Sequence, residues 1–73
     1  MQIASPAPLV RVHVFYDADV REFWANSPDL DGLVVTGRTR EELQEEARVA
    51  AGTLLELAGV AGTPELRFED APA

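Results

Sequence analysis

A chain of 73 residues, 47% of them hydrophobic and none of them cysteine, is enough for one domain. It excludes a multidomain enzyme, a disulfide scaffold, Cys-ligated zinc and thiol catalysis. Thirteen acidic residues against six arginines give a formal charge of -7, a field that repels phosphate backbones, so direct nucleic-acid binding is not expected and a basic partner is. No apolar run approaches the roughly 20 residues of a membrane span, and no basic n-region or h-region opens the chain, so no membrane role is expected and the expected setting is the cytoplasm.

Residues 1–8 carry two prolines among small residues and have no period, which predicts a flexible tail; order is expected over residues 9–70, with 71–73 a second short tail. From Leu9 to Tyr16 the sequence alternates, with Val10, Val12, Val14 and Tyr16 on one face and Arg11, His13 and Phe15 on the other, the period of a half-buried strand. Asp17, Ala18 and Asp19 supply turn chemistry. Glu22 to Asn26 then alternates again, setting Phe23 and Ala25 against Glu22, Trp24 and Asn26, so the two segments predict a hairpin. Ser27 to Gly32 is dense in turn formers: Pro28 fixes its own φ, Asp29 is suited to bond forward to backbone amides, and Gly32 permits a positive φ. Leu33 to Thr36 is a β-branched run that predicts a third strand and an antiparallel meander.

At Gly37 the period changes. Thr39 followed by Glu42 is a capping-box signature that starts a helix, with Glu42 expected to reach back to the Thr39 amide. Leu43, Ala47, Ala50, Leu54 and Leu57 form the predicted apolar stripe, while Glu41, Gln44, Glu45, Arg48 and Glu56 fall off it. Gly59 is placed for a left-handed cap, and Gly52 marks either a kink or a close approach to the sheet. Glu65 to Glu69 alternates once more, with Leu66 and Phe68 on one face. The fold class expected is α+β in the order β-β-β-α-β, a mostly antiparallel sheet with one helix on one face.

The segments FWANSPDLDG (Phe23 to Gly32) and GRTREEL (Gly37 to Leu43), at this spacing, resemble the HicB-like antitoxin superfamily. The resemblance spans roughly Val10 to Phe68 and implies a partial ribonuclease-H-like fold. It also implies a function: binding and blocking a small basic ribonuclease toxin, HicA-like, by covering its active surface. Asp31 stands where the family's second proline usually lies, and Leu33 and Leu43 replace common small residues, which shifts the likeness toward a domain-of-unknown-function branch of that superfamily. Many family members append a DNA-binding domain after this region, and the sequence ends at Ala73, so operator binding is not carried over.

The residues give independent indications of chemistry. Asp17 with Asp19, and Asp29 with Asp31, are the carboxylate pairs a metal-dependent nuclease would use, but both lie in turns where Asp serves backbone hydrogen bonding. His13 is the only histidine and has no assigned Ser or Asp partner, so no triad, metal site or cofactor site is predicted and no enzymatic activity is expected. Trp24 alternates away from the core set, and aromatic side chains on an uncovered face are enriched at interfaces. The acidic run Glu41, Glu42, Glu45 and Glu46 reads as a solvated face or an attraction for a basic partner. The expected partner-binding set is Trp24, Asn26, Ser27, Pro28, Asp29 and Asp31. The alternative is an orphan homo-oligomeric domain with no toxin partner, since so small a core and the aromatics Phe15 and Trp24 favour self-association.

Overall fold

A computed structural model describes residues 8–71; the expected tails at 1–7 and 72–73 lie outside the described residues. Four strands, β1 (Leu9–Asp17), β2 (Glu22–Asn26), β3 (Val34–Gly37) and β4 (Glu65–Asp70), form one sheet in the order β3-β2-β1-β4, and α1 (Arg40–Leu57) packs across one face of it. The fold is therefore α+β with the expected order of elements. The first three strands make the antiparallel meander. β4 runs parallel to β1, pairing Leu9 with Glu65 through Val14 with Asp70, so the sheet is mixed. This ladder reaches beyond the predicted ends: the Glu65 amide donates to the Pro8 carbonyl and the Ala71 amide to the Val14 carbonyl, both at 2.8 Å. Pro8 and Ala71 thus flank the strands with one backbone hydrogen bond each.

Each turn uses the chemistry of its residues. In the β1–β2 hairpin Asp17 pairs with Glu22, the Asp19 amide donates to Asp17 Oδ1 at 3.0 Å, and Arg21 occupies the left-handed region at φ 55. Between β2 and β3 the Asp29 amide donates to Ser27 Oγ, and Gly32 takes φ 89, a conformation that only glycine adopts without strain. The third strand starts one residue later than the run predicts, because Leu33 is drawn into the core at 1% exposure while Val34 is 67% exposed.

Thr39 caps α1, its Oγ1 accepting from the Glu42 amide at 3.1 Å. The reciprocal half of the expected box differs. Glu42 Oε1 accepts from the Arg38 amide at 3.4 Å rather than from that of Thr39, so the carboxylate ties the preceding residue to the helix. The other end closes by the six-to-one pattern that a left-handed glycine allows: Gly59 has φ 77, the Val60 amide donates to the Leu55 carbonyl at 2.9 Å, and that of Gly59 donates to Glu56 at 3.0 Å.

The core comprises Val10, Val12, Val14, Ala25, Leu33, Leu43, Ala47, Ala51 and Leu55, with Phe23, Leu30, Val35, Ala50, Leu54, Leu66 and Phe68 packed around it. The buried helix row is Leu43, Ala47, Ala51 and Leu55, which corrects the predicted stripe. A row of every fourth residue is inclined to the helix axis, so following it to Leu55 moves Ala50 and Leu54 to the margin and turns Leu57 out to 81% exposure. Tyr16 lies on the inner face as expected, yet at the open end of the sheet, 56% exposed. Gly37 is buried where the end of β3 abuts the first turn of α1, and the position needs glycine because a Cβ there would stand 2.6 Å from the Leu43 nitrogen and 2.9 Å from its Cα. Gly52 needs no such explanation: the helix runs unbroken through it, and a Cβ would meet nothing within 4 Å.

Candidate functional site

The face of the sheet away from α1 is built by the alternate residues of every strand, with Arg11, His13 and Phe15 from β1, Trp24 and Asn26 from β2, Val34 and Thr36 from β3, and Arg67 and Glu69 from β4. Strand pairing places Phe15 directly opposite Trp24, and their rings stack with centroids 4.1 Å apart and planes 12° apart. Both are half-buried against each other. The expected position of Trp24, opposite the core set, is where the indole lies. Phe15 completes the site although it was not among the predicted contacts. Its signal was the length of the hairpin: once Asp17 faces Glu22, residue 15 must face residue 24.

On the other side of the same hairpin end, Tyr16 packs on Phe23 with centroids 4.8 Å apart. The Arg40 guanidinium sits 5.6 Å from the Phe23 ring centroid and is held by an ion pair with Asp70. Four of the five aromatic residues therefore cluster in two layers at the end of the sheet formed by the β1–β2 turn. A shallow depression beside them is lined by Phe15, Tyr16, Asp17, Asp19, Trp24 and Ala71.

The predicted contact residues do not all share one role. Asn26 lies on the helix-free face opposite His13 and Val34, two residues along the strand from Trp24. Asp29 does not bond forward as expected; it folds back onto β1, where Arg11 donates to it from Nε at 3.0 Å, from a terminal guanidinium nitrogen at 2.9 Å and from its backbone amide at 2.8 Å. The amide bond has a simple origin. The Pro8 and Val14 carbonyls face β4, so by alternation Arg11 faces β2, which has already ended at Asn26, and the Asp29 carboxylate replaces the missing strand. The guanidinium and then the amide of Arg11 hold the Asp29 carboxyl down to about 2, and the Asp29 carboxylate in turn raises the Arg11 pKa. Ser27 is the acceptor that braces this turn, and Pro28 and Asp31 are exposed on it. The two carboxylate pairs stand at opposite ends of β2, Asp17 and Asp19 before it and Asp29 and Asp31 after it, so they do not converge. His13 Nε2 lies 3.4 Å from Glu69 Oε1 across the parallel ladder.

No helix among the described residues is long and apolar enough to cross a membrane. No family model matches the chain, and no curated protein matches it. Among solved structures, the chain is similar to hypothetical protein TTHA1013 from the extremely thermophilic bacterium Thermus thermophilus, at 33% identity and a TM-score of 0.76, over 89% of this chain and 94% of that one. The two proteins belong to one family. That likeness covers nearly the whole of both chains and carries the fold, helix and sheet together.

Proposed function

We propose that this protein binds a small basic protein on the helix-free face of its sheet and performs no chemistry itself. The observation that carries the reading is the Phe15–Trp24 stack, a flat aromatic platform that α1 does not cover, in a chain of formal charge -7. Large aromatics supply contact area at low entropic cost, and net negative charge speeds encounter with a positive partner. Asn26 lies two residues along β2 from Trp24 and the Ser27 to Asp31 turn follows at that end of the strand, with Asp31 and Pro28 offered to the partner and Asp29 rigidifying the turn through Arg11. The resemblance to HicB-like antitoxins supports a small RNA-cleaving toxin as the partner and the cytoplasm as the setting.

The test is to purify this protein with the product of its neighbouring reading frame and titrate the two, following Trp24 fluorescence. Saturable binding, weakened by added salt chiefly through slower association, is the expected result, together with loss of the partner's RNA cleavage on mixing; Trp24→Ala, which removes the only tryptophan of this chain and is therefore titrated by calorimetry beside the wild type, should bind more weakly. Binding that leaves Trp24 fluorescence and RNA cleavage unchanged would place the contact elsewhere. Cleavage of labelled RNA by this protein alone with magnesium or manganese, abolished by Asp31→Asn, would replace the binding reading with a metal-dependent nuclease.

A further inference from the structure

The two edges of the sheet are unlike. The β4 edge reads Glu-Leu-Arg-Phe-Glu-Asp, with a charge at four of six positions, which is how natural sheets discourage pairing between copies. The β3 edge reads Val-Val-Thr-Gly, with no charge, no proline and two β-branched valines followed by threonine, in a chain whose overall charge would otherwise push two copies apart. The geometry points to a function for this strand: we propose that β3 pairs antiparallel with β3 of a second copy, joining two four-stranded sheets into one of eight strands. This proposal is independent of the toxin partner and uses a different surface.

The register of the pairing follows from the hydrogen-bond alternation. Arg11 faces β2, and so, two and four residues on, do His13 and Phe15, opposite Asn26 and Trp24. Ala25 and Phe23 consequently face β3, where they pair with Val35 and Gly37. This leaves the amides and carbonyls of Val34 and Thr36 pointing outward from the sheet. A two-fold axis through Val35 sets Val34 of one copy against Thr36 of the other, twice, and satisfies all these groups in a closed, self-complementary contact. On the helix-free face this register brings Val34, which is 67% exposed, against the partner copy's Thr36, a β-branched cross-strand pair.

The experiment uses the full chain in three arms. Sedimentation equilibrium of the wild type at micromolar concentration should give roughly twice the 7.9 kDa monomer mass. Val34→Pro removes one outward amide at the first residue of the strand while leaving the β2–β3 bonds of Val35 and Gly37 in place, so it should raise the dissociation constant at least about tenfold with the helical circular dichroism retained. The chain contains no cysteine, so Val35→Cys offers a single thiol per copy, and with dissolved oxygen and a copper catalyst as the two-electron oxidant the two thiols should join as a disulfide, whereas those of Thr36→Cys, facing Val34 rather than each other, should not. A wild-type monomer throughout the micromolar range overturns the proposal. So does a dimer that survives Val34→Pro but dissociates with Trp24→Ala, which would assign the contact to the helix-free face, and so does equal cross-linking at positions 35 and 36.

Discussion

The two faces of the sheet solve the same problem by different means. The inner face carries Val10, Val12, Val14 and Ala25, all at 3% exposure or less, and is stabilised by removal from water under α1. Among the described residues the outer face has no covering element, and it stabilises itself laterally: Phe15 on Trp24, Arg11 on Asp29, His13 beside Glu69. Every outer pair joins two strands or a strand and a loop, so the side chains that knit the sheet together also form its exposed surface. The contrast teaches where a partner meets least resistance. Docking on the outer face disturbs no buried core, and the stacked rings are already ordered before contact.

The inner face is the more sensitive to truncation. Leu43→Ala, at a site 1% exposed where the first turn of α1 meets the end of β3, should cost about 2–5 kcal/mol in urea unfolding by leaving a cavity. The equivalent truncation outside, Trp24→Ala, removes one half-exposed ring and its stack and should cost about 1 kcal/mol; a loss as large as that of Leu43→Ala would mean that the outer face is a second core. Thr39→Ala deletes the acceptor for the Glu42 amide and should lower stability by about 1 kcal/mol, with an unchanged urea midpoint placing the helix start elsewhere. Gly52→Ala sharpens the inner side in the opposite direction, adding up to about 1 kcal/mol of stability, since a helical glycine with open space beside it gives up only its chain entropy.

The smallest effect is a pH dependence of the outer face. Asp29 is held at about 2 against an ordinary 3.8, a depressed carboxyl, so the stability it contributes is complete above the ordinary value and is lost as pH falls toward about 2. Asp29→Asn should therefore flatten the stability profile in that acid interval and leave its shape near neutrality unaltered. Acid titration by circular dichroism checks this, and an unchanged acid limb would show that Arg11 and Asp29 do not hold each other in solution.

Strand faces, the helix cap and the terminal Gly59 were legible in the sequence because each rests on residues close together in the chain: an alternation, a Thr three residues before a Glu, one glycine at a helix end. The phase of the helix was not, because Ala50, Ala51, Leu54, Leu55 and Leu57 offer more than one apolar row and only the sheet decides which is buried. The parallel direction of β4 was equally hidden, since alternation in Glu65 to Glu69 reads the same in either orientation. At the candidate site, alternation sufficed to put Trp24 outside. Its partner Phe15 needed the hairpin register, and the capture of Asp29 by Arg11 needed the knowledge that β2 ends short of β1.

The parallel ladder that unites residues 9–14 with residues 65–70 has a consequence for how the chain is made. The hairpin and α1 join neighbours in sequence, but β1 acquires its second neighbour only once β4, more than fifty residues further on, has emerged from the ribosome. Until then one side of β1 is an open edge, while the meander and helix beside it are already able to form. β4 thus acts as a latch that closes β1 only after the meander and helix that precede it in the chain. Shortening the chain before Glu65 should leave a three-stranded species with its longest strand unguarded, prone to association with other nascent copies.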